Sequence, residues 1–184
     1  SDKMPIKKTD HVIFATGASF LGEKKGIANL IIAFSRFLHN MGRNDFLYLF
    51  GQIDDDIKSQ YMSLTKELDI ENNVIFNGYL NRNDYITKMN DVDVYIRASP
   101  FEGFGLSVVE ALNSGKDILI SDTGFIAESI KDEFPGHILS SLDVDSIAIS
   151  INDYLVNVFH KKEQIEIRKK LSNKLAEDVI IKQW

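Results

Sequence analysis

Short runs rich in β-branched and aromatic residues alternate along this chain with stretches whose apolar residues recur at helical spacing. The strand-like runs are His11–Thr16, Phe46–Phe50, Val74–Asn77, Val92–Arg97 and Ile118–Ser121, with a weaker sixth at His137–Leu139. Several are nearly continuous in apolar residues, as strands covered on both faces are. Gly26–Asn40 places Ile27, Leu30, Ile31, Phe34 and Leu38 on one helical stripe. Ile57–Leu68, Arg82–Met89, Ser107–Asn113, Phe125–Ile130, Val144–Phe159 and Gln164–Glu177 read as further helices. Strand alternating with helix predicts right-handed crossovers and a parallel sheet. The expected fold is therefore α/β: a Rossmann-like parallel sheet of five to six strands with helices on both faces, spanning residues 1–184 as a single domain. Ligands of such sheets bind beyond the carboxyl ends of the strands, so the loops after Thr16, Phe50, Asn77, Arg97 and Ser121 are the ones to watch.

The chain has 184 residues, enough for one full core. Its net charge of −6 and lack of a basic block argue against a nucleic-acid partner. The absence of cysteine excludes disulfides and thiolate metal sites and agrees with a cytoplasmic location. No apolar run approaches a membrane span, and Ser1-Asp2-Lys3-Met4 has no signal-peptide core. The methionine at position 4 and the end at Trp184 read as trimmed ends.

Phe101 to Leu112 is the segment richest in chemistry. Glu102 and Glu110 stand eight positions apart, Gly103 and Gly105 lie between them, and a helix follows. A glycine-rich turn entering a helix exposes backbone N–H groups that attract phosphate. Carboxylates on either side can grip hydroxyls. Phosphate flanked by sugar-like hydroxyls is the outline of a nucleotide-sugar. Ser107-Val108-Val109-Glu110 also fits a capping box, so capping and ligand binding both stand for Glu110. For Glu102 the alternative is an exposed solvated carboxylate. Gly103 and Gly105 suit positive φ or close approach of a ligand.

A second loop, Gly17 to Gly26, brings Lys24 and Lys25 to another helix start. Its ordinary reading is a solvated surface loop; beside the first glycine-rich turn it becomes a diphosphate site. Arg97 ends a strand at the same edge and can serve either a phosphate or sugar, or an ion pair. Asp122-Thr123-Gly124 is either a third cleft wall or a plain turn. Asp54 with Asp56, Asp91 with Asp93 and Asp143 with Asp145 form Asp-x-Asp pairs, read as structural. His11, His39, His137 and His160 lack metal-ligand spacing and read as incidental. No metal and no cofactor is expected.

At these residues the chain resembles the donor-binding domain of retaining GT-B glycosyltransferases of the family 4, or group 1, type. The similarity runs from His11 to Ile130: Gly17 with Lys25-Gly26, Leu47 to Gly51, Val74 to Leu80, Asp93-Val94 through Ser99, Glu102 to Glu110, then Ser121 to Gly124 with Glu128. The resemblance implies a nucleotide-sugar donor (UDP-, GDP- or ADP-sugar) as substrate. It implies that Glu110 accepts from the ribose hydroxyls and that Glu102 lies near the transferred sugar. Backbone amides of Gly103, Phe104, Gly105 and Leu106 would face sugar and phosphates. Lys25, beside Gly17, would hold the diphosphate and with Glu102 carry the catalytic role. Gly78, Tyr79 and Leu80 would border the base. A cation plus a helix start would stabilise the leaving diphosphate in place of a metal.

The chain departs from the resemblance at Ala18, where the family has an arginine. Lys24 or Arg97 stands as a substitute, or donor affinity falls. The resemblance implies that a GT-B enzyme also needs an N-terminal acceptor domain, which is expected to be absent from this chain. The isolated chain is expected to transfer nothing. Its parent would work in the cytoplasm, at the inner face of the membrane through its other parts. The alternative is a non-catalytic domain that binds a nucleotide-sugar or a partner in support of a separate transferase. A flavodoxin-like regulator fits less well, because His11 to Gly17 offers no acidic phospho-acceptor pocket.

Overall fold

A computed structural model describes residues 11–22, 25–161 and 163–181, with the backbone alone at 160 and 175–181. Among these residues six strands, β1 (Ile13–Phe20), β2 (Phe46–Gln52), β3 (Val74–Gly78), β4 (Val94–Arg97), β5 (Asp117–Ser121) and β6 (Ile138–Leu139), form one sheet in the order β3-β2-β1-β4-β5-β6. Every pairing is parallel. The helices are α1 (Ile27–Met41), α2 (Asp55–Glu67), α3 (Arg82–Met89), α4 (Leu106–Asn113), α5 (Gly124–Ile130), α6 (Val144–Asn157) and α7 (Gln164–Ile181).

Alternation along each strand divides the core into two layers. Phe14, Leu47, Leu49, Val94, Ile96 and Leu119 point to one face and pack with Phe34 of α1, Tyr61 of α2 and Ile151 of α6. Ala15, Phe50, Tyr95, Ile118 and Ile120 point to the other and meet Met89 of α3, Val108 and Leu112 of α4, Ile126 of α5 and Ile167 of α7. This is the Rossmann-like sheet with helices on both faces expected from the sequence. Both faces need apolar cover, which is why the strand runs are so continuously hydrophobic.

The boundaries differ in one informative place. β1 does not stop at Thr16 but continues to Phe20. Gly17 pairs with Phe50 and Phe20 with Gln52, so a bulge inserts one extra residue. Leu21 then donates its N–H to the Gln52 carbonyl at 2.8 Å. A glycine followed by small residues reads locally as a loop; it becomes strand because β2 runs on beside it and offers backbone partners. Among the described residues no helix is long and apolar enough to cross a membrane.

Candidate functional site

The strand order reverses between β1 and β4. At such a switch point the crossovers leave in opposite directions and a crevice opens at the carboxyl ends. A cleft of about 450 Å³ occupies it. One wall is the end of β1, Thr16 to Leu21, with Lys25; the other is Arg97, Ser99 and the segment from Glu102 to Ser107. Of the residues singled out in the sequence, Gly17, Lys25, Glu102, Gly103, Phe104, Gly105 and Leu106 come together here. Gly78, Tyr79, Leu80 and Glu110 are outside this lining. Tyr79 is exposed, and Leu80 packs against the core layer that contains Phe50. Glu110 is exposed on α4 near Tyr85. Burial pushes the Tyr85 hydroxyl well above its ordinary value, and the charges of Tyr95 and Glu110 add to that.

The start of α4 overturns the capping-box reading. Gly105 is the N-cap, in the left-handed region at φ 88°. Ser107 is thus the second residue inside the helix and cannot cap it. Val108 and Val109 both donate to the Gly105 carbonyl, at 2.9 and 3.2 Å. Leu106 and Ser107, which line the cleft, precede any carbonyl their amides could reach within the helix. Glycine is required at 105 twice over, because a Cβ there would also stand 2.8 Å from Arg97 Nη1. Gly103 is different: its φ is not positive and a Cβ would meet nothing within 4 Å.

Arg97 is buried, with its side chain 5% exposed. Nη2 donates to the Thr123 carbonyl at 3.0 Å, and Nη1 stands 3.5 Å from Glu102 Oε2. Burial pulls the guanidinium below its ordinary value, while Glu102 and Tyr95 hold it up. Of the two roles open for Arg97, the geometry displays the ion pair. Ser121 to Gly124 stands behind this wall rather than facing the cleft. Ser121 Oγ donates to the Ser99 carbonyl at 2.7 Å, and the Phe125 N–H donates to Gly103 O at 3.0 Å. The Phe104 ring stacks on Phe125 at 5.2 Å.

Tyr95 carries no site signal in the sequence, because a tyrosine inside an apolar strand reads as core. It is core, yet its hydroxyl reaches the site. Oη donates to Gly17 O at 2.7 Å and accepts from Gly17 N at 3.1 Å. Burial raises its pKa, while hydrogen bonds with Ser107 and Gly17 oppose the rise.

Most of the remaining polar candidates occupy structural positions. Asp93 accepts from the Ile13 N–H at 2.9 Å, and Asp143 caps α6 through the Ser146 N–H at 2.9 Å. Asp54 is the N-cap residue of α2, with Asp55 and Asp56 in its first turn. Asp145 pairs with Arg36. His137 is more than incidental: it is buried, with Nδ1 at 2.7 Å from Ile118 O and Nε2 at 3.1 Å from Glu163. It joins β5 to the turn before α7, far in sequence from the cleft residues. His11 Nδ1 meets Asn44 O at 2.6 Å, and His39 lies in the last turn of α1. Lys24 and the His160 side chain lie outside the described residues. Among those described, no group of three or more metal-ligating side chains clusters.

With this geometry in view, similarity to known proteins becomes informative. The family described as glycosyl transferases group 1 matches residues 1–174. The chain belongs to that family. Protein CapJ of Staphylococcus aureus is 28% identical over 159 residues, covering 85% of this chain and 37% of that protein. The poly(glycerol-phosphate) alpha-glucosyltransferase of Bacillus subtilis is 25% identical over 185 residues, covering 98% of this chain and 26% of that protein. The chain thus spans only about a third of such relatives. Among solved structures, a S. aureus TarM mutant in complex with fondaparinux, alpha-GlcNAc-glycerol and UDP aligns with a TM-score of 0.77 at 18% identity, over 96% of this chain and 36% of that one. The C-terminal domain of the glycosyl transferase group 1 protein LpcC from Francisella tularensis aligns at 0.74 and 21% identity, over 90% of this chain and 86% of that one. These structures share the fold of the glycosyl transferases group 1 domain described here.

Proposed function

We propose that this chain is the donor-binding domain of a retaining glycosyltransferase, whose parent moves a sugar from a nucleotide-sugar to a glycan or other glycoconjugate. The observation that carries the reading is the cleft at the β1/β4 switch point, where Lys25, the amino end of α4 and Glu102 meet. Lys25 and the first amides of α4 are suited to a diphosphate. As the glycosyl bond breaks, negative charge grows on that diphosphate, and a fixed cation and helix start stabilise it. No metal is required for this role. Glu102 accepts from sugar hydroxyls. Glu110, with Gly78, Tyr79 and Leu80, serves the nucleoside end along α4 and the turn after β3. The relatives' additional length supplies the acceptor domain in this reading, so the chain alone transfers nothing.

Ala18 supports a second reading. It lines the cleft without supplying a cation, and a non-catalytic domain that binds the donor in support of another transferase would tolerate that. Titration separates the cases in two stages. UDP, GDP or ADP should raise the thermal midpoint of the chain by mass action. Lys25→Ala should weaken the preferred nucleotide by about 1.5–3 kcal/mol, the worth of a charge-assisted contact. If none of the three nucleotides shifts the midpoint, both readings fail. A full-length parent that binds donor yet neither transfers nor hydrolyses it selects the second.

A further inference from the structure

A buried guanidinium is costly unless paired and hydrogen-bonded. Arg97 Nε and Nη1 are both buried without a hydrogen-bond partner. Its one carboxylate partner among the described residues is Glu102, at 3.5 Å, a distance that gives charge attraction but not a good hydrogen bond. The two side chains differ in access: Arg97 is 5% exposed and Glu102 21%. A ligand in the cleft can therefore touch Glu102 but not the free nitrogens of Arg97. The guanidinium also grips the Thr123 carbonyl, and the missing Cβ at Gly105 makes room for Nη1.

We propose that Arg97 is a positioning residue for the sugar end of the donor, acting through the Glu102 carboxylate that it holds against the cleft wall. The inference rests on the donor-binding reading. Arg97 draws one Glu102 oxygen toward the wall and leaves the rest of the carboxylate open to the cleft, where sugar hydroxyls donate. Without Arg97 the carboxylate is free to swing into water and the sugar loses an oriented acceptor. The nucleoside diphosphate, held by Lys25 and α4, is unaffected. Arg97 thus controls how much the sugar adds to binding, not how well the diphosphate binds.

The test is calorimetric titration of the 184-residue chain with UDP and UDP-glucose, GDP and GDP-mannose, and ADP and ADP-glucose. The quantity read is the ratio of the two dissociation constants in each pair. In the wild type one sugar-nucleotide should bind more tightly than its diphosphate. Arg97→Met should bring that ratio to about one while changing diphosphate affinity less than about threefold, and Glu102→Gln should do the same. The double variant should lose no more than either single, and Arg97→Lys should restore part of the ratio. If Arg97→Met fails to fold, the double variant, which buries no unpaired charge, must still bind diphosphate and lack the sugar gain. A parallel fall of both affinities, or an unchanged ratio in the Met or double variant, overturns the proposal. So does a wild type with no sugar gain. A wild type that binds none of the six nucleotides instead removes the donor-binding reading itself.

Discussion

One oxygen of Tyr95 satisfies both backbone groups of Gly17: Oη donates to its carbonyl at 2.7 Å and accepts from its N–H at 3.1 Å. Gly17 keeps Phe50 of β2 beside it but lies beyond the last β1–β4 pair, Ala15 with Tyr95. The phenol, fully buried on β4, thus fixes the β1 wall of the cleft to the β4 wall. Tyr95→Phe keeps the ring and removes the hydroxyl, leaving two polar groups unpaired. We expect a loss of about 1–3 kcal/mol in urea unfolding and weaker diphosphate binding. Unchanged stability would mean that water replaces the hydroxyl without cost.

The glycines at the cleft separate into two kinds. Gly124 has φ 82°, and a Cβ there would stand 2.5 Å from Gly103 O, a backbone atom that cannot move aside. Gly124→Ala should cost about 1–3 kcal/mol or more and lower the melting midpoint. Gly103→Ala should change stability by less than about 0.5 kcal/mol, because nothing crowds the site. Its effect should appear only in nucleotide titration, as weakened binding where the ligand comes close to the backbone.

Glu110→Ala distinguishes binding from capping. With Gly105 as the N-cap, the glutamate secures no helix end. The melting midpoint of the variant should match the wild type. Affinity for nucleoside diphosphate should fall on the order of tenfold, as expected for lost hydrogen bonds to a carboxylate, while inorganic pyrophosphate binds as before. A lower midpoint with unaltered nucleotide affinity would reverse the assignment.

The cap of α6 carries a pH signature. Hydrogen bonds from the Ser146 backbone, then from the Ser146 and Ser141 side chains, pull Asp143 from 3.8 down to about 2. A carboxyl group whose pKa is depressed in the folded state stabilises it above the unfolded pKa. That contribution is present above 3.8 and is lost as pH falls through about 2. Thermal midpoints measured across this window should therefore fall less steeply for Asp143→Ala than for the wild type. Parallel curves would show that the cap is not coupled to folding.

Much of the fold was legible because its signals are local. A strand covered on both faces must be apolar throughout, and an amphipathic helix must repeat its apolar residues at helical spacing; both patterns stand in the chain order. The motif from Glu102 to Glu110 was legible because left-handed backbone at Gly105 and a free helix start need particular residues in succession. Other features were not legible. Gly17 to Phe20 reads as loop from its own residues, and only the neighbouring end of β2 makes it strand. Ser107 and Glu110 have the spacing of a capping box, but the left-handed Gly105 ends the turn earlier. His137 resembles any surface histidine until Tyr154 of α6 and Glu163 close around it.

The amino-acid sequence by itself determined the alternation of elements, the parallel sheet they imply and the glycine-rich turn that enters α4. Each depends on residues within a turn or two of one another. Tertiary structure alone decided that Arg97 faces Glu102 and Thr123, that Tyr95 bridges two walls, and which predicted residues share the cleft. Those outcomes depend on side chains from separate strands converging at one sheet edge, and burial there decides which polar groups must find each other.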